Sequence, residues 1–398
     1  MGLVGEDKGC SGLESEYIEP GCHELMFTKR DEPERPATAG GNLSAKHLKV
    51  LMLPPVSWDI ERQQFILNAA SDPFELERLL LTYNIQLTII SPGQWPINPF
   101  GRASSLLRAL DPWRAVRVMV RERRHDVVVA VMVGSALPLS IARRLVGFST
   151  PIVQWDIALD EKWGLRNRIH DFVIPRLDGM MVLSSAQPAY IASRWPSGAP
   201  VTVVGHCIDT SFYRPIGDGP GDYILAVGED IGRDFPTLLA AIEGIPAQLV
   251  LRTNLELPPV ATRLANLRVM RDRVSESALR SLYANSRFVV VPLSDTRNAS
   301  GVSTILEAGA MGKATIVSAS AGIDDFVIAG ETCLRVPCHD AAALHAAIQR
   351  LLNEPETCER LGQNARRFVA EHCSRSAFAG RFAAALRSFA RPVELASG

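Results

Sequence analysis

Short apolar runs alternate with longer segments of helical period along most of this chain. Residues 48–54, 85–92, 126–133, 150–155, 179–184 and 200–204 are rich in Val, Ile, Leu and Met, with few polar interruptions. Apolar residues on successive rather than alternate positions, with helical segments between the runs, predict parallel strands covered on both faces. The pattern breaks at 209–221, where Pro215, Gly217, Gly219, Pro220 and Gly221 cluster without periodicity and predict a linker. It restarts in 222–228, 247–252, 267–270, 288–292, 314–318 and 332–337. The prediction is an α/β chain of two doubly wound Rossmann-like domains, residues 47–212 and 213–375. Ligands of open α/β sheets bind beyond the strand C-termini, so two facing domains would form a cleft there.

Other segments change this picture little. Residues 1–46 are polar and aperiodic and are expected to form a disordered extension. The most apolar stretch, 127–142, contains Gly134, Ser135 and Pro138 and is too short to span a membrane. It reads as a buried strand entering a helix. The start of the chain lacks the basic and apolar blocks of a signal peptide.

The 398 residues are 47% hydrophobic and 21% charged, ordinary globular usage. The formal net charge of -1 conceals nine acidic and four basic side chains in residues 1–45, leaving +4 on the rest, too little for a nucleic-acid binder. Cys10, Cys22, Cys207, Cys333, Cys338, Cys358 and Cys373 show neither metal-ligand spacing nor a disulfide framework. A reducing cytoplasm is the expected location.

The chain contains no GxxxxGK[ST], GxGxxG, HExxH or GxSxG motif, which weakens NTPase, dinucleotide, zincin and hydrolase readings. No Asp-x-Asp is present to hold a metal on a diphosphate, so any diphosphate would need protein cations and helix dipoles. The richest stretch is 300–322, which follows the strand ending at Pro292. A helix starting near Ser303 or Thr304 would present free N–H groups at a strand edge, an anion site. Glu307, one turn in, could accept hydrogen bonds from ribose hydroxyls. Thr304-x-x-Glu307 also reads as a capping box, in which the carboxylate only satisfies a backbone donor.

This block resembles the signature of the GT-B nucleotide-sugar glycosyltransferases of family 4, the glycosyl transferases group 1, whose members carry Glu-x7-Glu. Residues 203–215 are similar to the family's interdomain segment. Residues 222–241 resemble the strand, glycine loop and helix that open its donor domain, and 271–292 follow its pattern as well. The resemblance implies that Glu307 holds the nucleotide ribose and that Arg233, in the loop after Gly228, binds the donor diphosphate. A fixed guanidinium suits a departing diphosphate; an ordinary loop arginine is the alternative. Ser300, Gly301, Val302, Ser303 and Thr304 would offer donor-binding groups at the helix start, and Arg271 would line the base pocket.

The departures are specific. The first Glu of the signature falls at Ala299, and the family's second cation falls near Glu229. Trp155-Asp156 stands where relatives have His-Asp, so Asp156 is a candidate acceptor-side polar group or a helix cap. Residues 102–124 hold Arg102, Arg108, Arg114, Arg117, Arg121, Arg123 and Arg124 among Leu106, Leu107, Leu110, Trp113, Val116 and Val120. This basic amphipathic stretch could lie on an anionic membrane or form a solvated outer face.

The expected activity is a retaining transfer of sugar from a nucleoside diphosphate to a hydroxyl acceptor, lipid-linked or otherwise, without a cofactor or essential metal. The resemblance further implies that the last helix, within 376–398, crosses back to the first domain. The alternative is a non-catalytic nucleotide-sugar-binding or scaffold protein on the same fold.

Overall fold

The computed structural model describes residues 47–390, apart from 56, 58–69, 73, 93–111, 122–123, 157–158, 160–163 and 218–220. The predicted extension, 1–46, and the first part of the basic stretch lie outside the described residues.

The first sheet holds β1 (Leu48–Leu53), β2 (Ile85–Ile89), β3 (Val127–Val131), β4 (Ile152–Asp156), β5 (Gly179–Val182) and β6 (Val201–Val203) in the order β2-β1-β3-β4-β5-β6. The second holds β7 (Tyr223–Val227), β8 (Leu249–Arg252), β9 (Leu267–Met270), β10 (Ser286–Val291), β11 (Thr315–Ser318) and β12 (Cys333–Val336) in the order β12-β11-β10-β7-β8-β9. Every pairing is parallel. The apolar runs of the sequence thus form the strands of two doubly wound sheets.

Helices α1 (Glu75–Thr82), α2 (Pro112–Arg121), α3 (Met132–Val146), α4 (Gly164–Val173) and α5 (Gln187–Arg194) belong to the first domain. Val118 of α2, Leu139 of α3, Val173 of α4 and Ile191 of α5 pack with Val128, Ile152 and Met180 on one face of its sheet. The stretch read as a strand entering a helix is β3 followed directly by α3, with Pro138 inside the helix. Helices α6 (Phe235–Ala241), α7 (Glu276–Ala284), α8 (Val302–Ala310), α9 (Ala341–Asn353) and α10 (Pro355–His372) belong to the second domain, and α11 (Arg375–Phe389) follows.

Helix α11 crosses back. Its Phe378, Phe382 and Leu386 are buried with Leu80, Val50, Met52, Val129 and Val153, covering the other face of the first sheet. Trp155 stacks on Phe378 and lies 5.1 Å, ring to ring, from Phe382. Arg375 anchors the start of α11: its Nη1 donates to Asp72 O at 2.5 Å, Glu75 Oε2 at 2.9 Å and Asp209 Oδ2 at 3.1 Å. Arg366 seats the linker on the second domain through the carbonyls of Thr210, Tyr213 and Ala310.

One expectation for the basic stretch is corrected. Arg114 does not belong to an outer basic face: it is buried and donates to the carbonyls of Pro54 and Ile90 and to Ser135 Oγ. Ala115, Val118 and Met119 form the inward stripe of α2, and Val116 and Val120 are exposed. Two apolar stripes overlap on this helix, and burying Arg114 with Ala115 selects the second.

Candidate functional site

The C-terminal ends of β7 and β10 carry the two loops of the site. After β10 the chain turns at Gly301, which adopts a left-handed φ of 81°. A Cβ there would stand 2.9 Å from Val291 Cγ1, so both the conformation and the close approach require glycine. Helix α8 then starts at Val302, ahead of the expected Ser303 or Thr304, without a side-chain cap. The Val302 N–H donates to Ala299 O at 3.2 Å, which leaves the N–H groups of Ser303 and Thr304 as the helix-start donors for an anion.

The capping box does not form. Thr304 Oγ1 accepts from Arg233 Nη2 at 2.9 Å and reaches Val227 O at 3.4 Å. Glu307 Oε2 instead accepts from the hydroxyl of Tyr283 at 2.6 Å.

Arg233 is fixed from three sides. Its Nε donates to Asp230 Oδ2 at 2.7 Å, its Nη2 to Thr304, and its backbone bridges to Leu293. The side chain is 4% exposed, and Nη1 is buried with no hydrogen-bond partner. A Cβ on Gly228 would stand 2.4 Å from Arg233 Nε, so only glycine lets the guanidinium lie this close to the loop. Asp230 also accepts from Ser300 Oγ at 2.7 Å and from the Gly232 N–H at 3.1 Å, which ties the loop after β7 to the start of α8. Burial pushes the Asp230 carboxyl up, but the Arg233 charge and these hydrogen bonds outweigh it and hold it below its usual value.

Glu307 lies beneath the interdomain linker. Burial raises its carboxyl to about 7, against hydrogen bonds from Tyr283 and the linker's Tyr213 and the charge of Arg233, which pull it down. Across the crevice, His206, just after β6, places Nε2 3.2 Å from Ser303 Oγ. Burial lowers this imidazole to about 4, so it is neutral at physiological pH. A second contact joins the domains where Ser185 donates its N–H and hydroxyl to Asp325, each at 2.7 Å.

The structure thus brings together Gly228, Arg233, Ser300, Gly301, Val302, Ser303, Thr304 and Glu307. Arg271 stands apart at the end of β9, the edge strand, exposed and donating to the Leu255 carbonyl. Asp156 is in the first domain at the end of β4, fully buried, accepting from Gln154 Nε2 at 2.5 Å with His170 Nε2 at 3.7 Å. Sequence reasoning did not single out His206, Tyr213, Tyr283, Asp230 or Arg252. Glu229, at the expected position of a second cation, holds Arg252 Nη1 at 2.5 Å. Among the described residues no group of three or more His, Cys, Asp or Glu side chains is placed to hold a metal ion.

Residues 265–368 match the family of glycosyl transferases group 1. No curated protein matches the chain significantly. Among solved structures, sucrose-phosphate synthase from Thermosynechococcus elongatus superposes with a TM-score of 0.66 at 18% identity, over 86% of this chain and 98% of that one. A glycosyltransferase from Rickettsia africae gives 0.63 at 13% identity, over 87% and 99%. HepE of Anabaena, in complex with UDP and glucose, gives 0.62 at 15% identity, over 86% and 100%. These likenesses identify the two facing doubly wound domains as a GT-B fold. The chain therefore has the GT-B fold, and within its second domain residues 265–368 match glycosyl transferases group 1.

Proposed function

We propose that the chain transfers a sugar from a nucleoside diphosphate sugar to a hydroxyl acceptor, with retention of anomeric configuration and without an essential metal. The observation that carries this reading is the convergence of the uncapped start of α8 with the buried, partly unpartnered guanidinium of Arg233. Both are donors fixed before a ligand arrives, which suits charge developing on a leaving diphosphate. The bond from the anomeric carbon to the diphosphate oxygen breaks, the acceptor oxygen bonds to that carbon on the same face, and the acceptor proton passes to the departing phosphate. Glu307 accepts from the ribose hydroxyls through the lone pairs left by Tyr283 and Tyr213. UDP is the first nucleotide to test, because the similar HepE of Anabaena binds UDP and UDP-glucose.

A lipid-linked acceptor and peripheral attachment at the inner face of a membrane belong to the same proposal. Val116 and Val120 of α2 and Ile141, Leu145 and Val146 of α3 are exposed, Leu145 by 81%, on two packed helices that also expose Arg117 and Arg144. Aliphatic side chains interleaved with arginine suit an anionic lipid surface. No helix among the described residues is long and apolar enough to cross a membrane.

The test is product analysis by mass spectrometry with five nucleoside diphosphate sugar series and lipid, saccharide and small-molecule hydroxyl acceptors. Transfer that needs an acceptor supports the enzyme. Nucleotide binding without turnover of any donor would identify a binding or scaffold protein instead.

A further inference from the structure

The loop after β7 carries two carboxylates in succession, and each holds a buried guanidinium. Asp230 holds Arg233, and Glu229 holds Arg252 from the end of β8. The arginine side chains are 4% and 8% exposed, and each keeps one buried nitrogen without an acceptor, Nη1 of Arg233 and Nε of Arg252. Arg252 pairs in register with Val227, so both side chains leave the same face of the sheet. That is the face α8 covers, since Gly301 packs on Val291 and Thr304 reaches Val227 O. Arg233, Arg252 and the start of α8 therefore share one face at one edge of the second sheet.

The two carboxylates differ in how they are held. Asp230 is fixed by the Gly232 N–H, Ser300 and Arg233. Among the described residues Glu229 has Arg252 as its one polar side-chain partner, and its own side chain is 40% exposed. A buried guanidinium without a counter-ion is strongly unfavourable, so Arg252 needs a negative charge whenever the site is empty. Glu229 supplies that charge and can turn out into water when a better anion arrives.

We propose that Arg252 is the second cation for the donor diphosphate and that Glu229 is a displaceable stand-in for the phosphate. The proposal rests on the donor-site reading above. A phosphate oxygen replaces the Glu229 carboxylate on Arg252, and the unpartnered Nε–H gains an acceptor. Glu229 is then a built-in competitor that lowers affinity for the diphosphate while keeping the empty site electrically balanced.

The test is calorimetric titration of the full chain with UDP, GDP, dTDP, ADP and CDP and with the matching monophosphates. Arg252→Gln is expected to weaken the preferred diphosphate about ten- to a hundredfold, the loss of charge-assisted hydrogen bonds, and to change the monophosphate little. Glu229→Gln is expected to tighten the diphosphate several-fold, and to have no effect once Arg252 is already Gln. A structural ion pair predicts the opposite sign for Glu229→Gln, weaker binding through a loosened loop. An unchanged diphosphate-to-monophosphate ratio in Arg252→Gln, or weaker diphosphate binding in Glu229→Gln, overturns the proposal. Should Arg252→Gln fail to fold, Glu229→Gln alone decides. A wild-type chain that binds none of the five diphosphates overturns the donor-site reading itself, and the latch with it.

Discussion

The hydroxyl of Tyr283 donates a 2.6 Å hydrogen bond to Oε2 of Glu307. Tyr283 is fully buried at the end of α7, so this bond fixes the carboxylate from below. Burial nevertheless raises the Glu307 carboxyl to about 7. A carboxyl raised on folding binds a proton that the unfolded chain has released, so stability falls as pH rises from about 4.5 to about 7. Glu307→Gln removes this dependence. Its melting temperature relative to the wild type should rise between pH 5 and pH 8, as measured by thermal unfolding without ligand.

His206 works in the opposite direction. Its imidazole is lowered to about 4, so the unfolded chain binds the extra proton and stability is lost as pH falls from about 6.5 to about 4. Protonation also sets a positive charge beside the start of α8. His206→Asn should flatten the acid side of the stability profile, and Glu307→Gln should leave it. The two variants measured over the same pH range separate the opposing contributions.

The proposed recognition of ribose by Glu307 has its own signature. Wild-type chain should prefer a ribonucleoside diphosphate over its 2′,3′-dideoxy counterpart, and Glu307→Gln should erode that preference by about tenfold, one charge-assisted hydrogen bond. Paired titrations of the two ligands check it.

Much of this arrangement is legible in the sequence, and the exceptions have identifiable causes. The strands are legible as short, largely apolar runs: β3, β5 and β11 are buried along their whole length, whereas β6 and β9 at the sheet edges are partly exposed. Gly301, Thr304 and Glu307 are legible because a loop, helix and strand follow one another in a few residues. Arg252 is not, since it ends the apolar run 247–252 and reads as the solvated end of a strand. The contacts of Tyr213 and His206 depend on how the linker and the first domain meet α8, which no local spacing encodes. Arg114 misleads because two apolar stripes share one helix.

Helix α11 is a covering element of the first domain although it follows the second in sequence. Phe382 is fully buried against the first sheet and faces Trp155. Phe382→Ala should cost about 3–5 kcal/mol. Chemical denaturation should show the loss in the first domain, with the Trp155 fluorescence reporting it.

Arg233 is the decisive group, being held by Asp230 and Thr304 with Nη1 left for a ligand. The most direct measurement is calorimetric titration of wild-type and Arg233→Ala chains with UDP, GDP, dTDP, ADP and CDP. The account predicts that the wild type binds one of them and that Arg233→Ala binds it about a hundredfold more weakly, the loss of two charge-assisted contacts. Equal affinity in the two chains would contradict it.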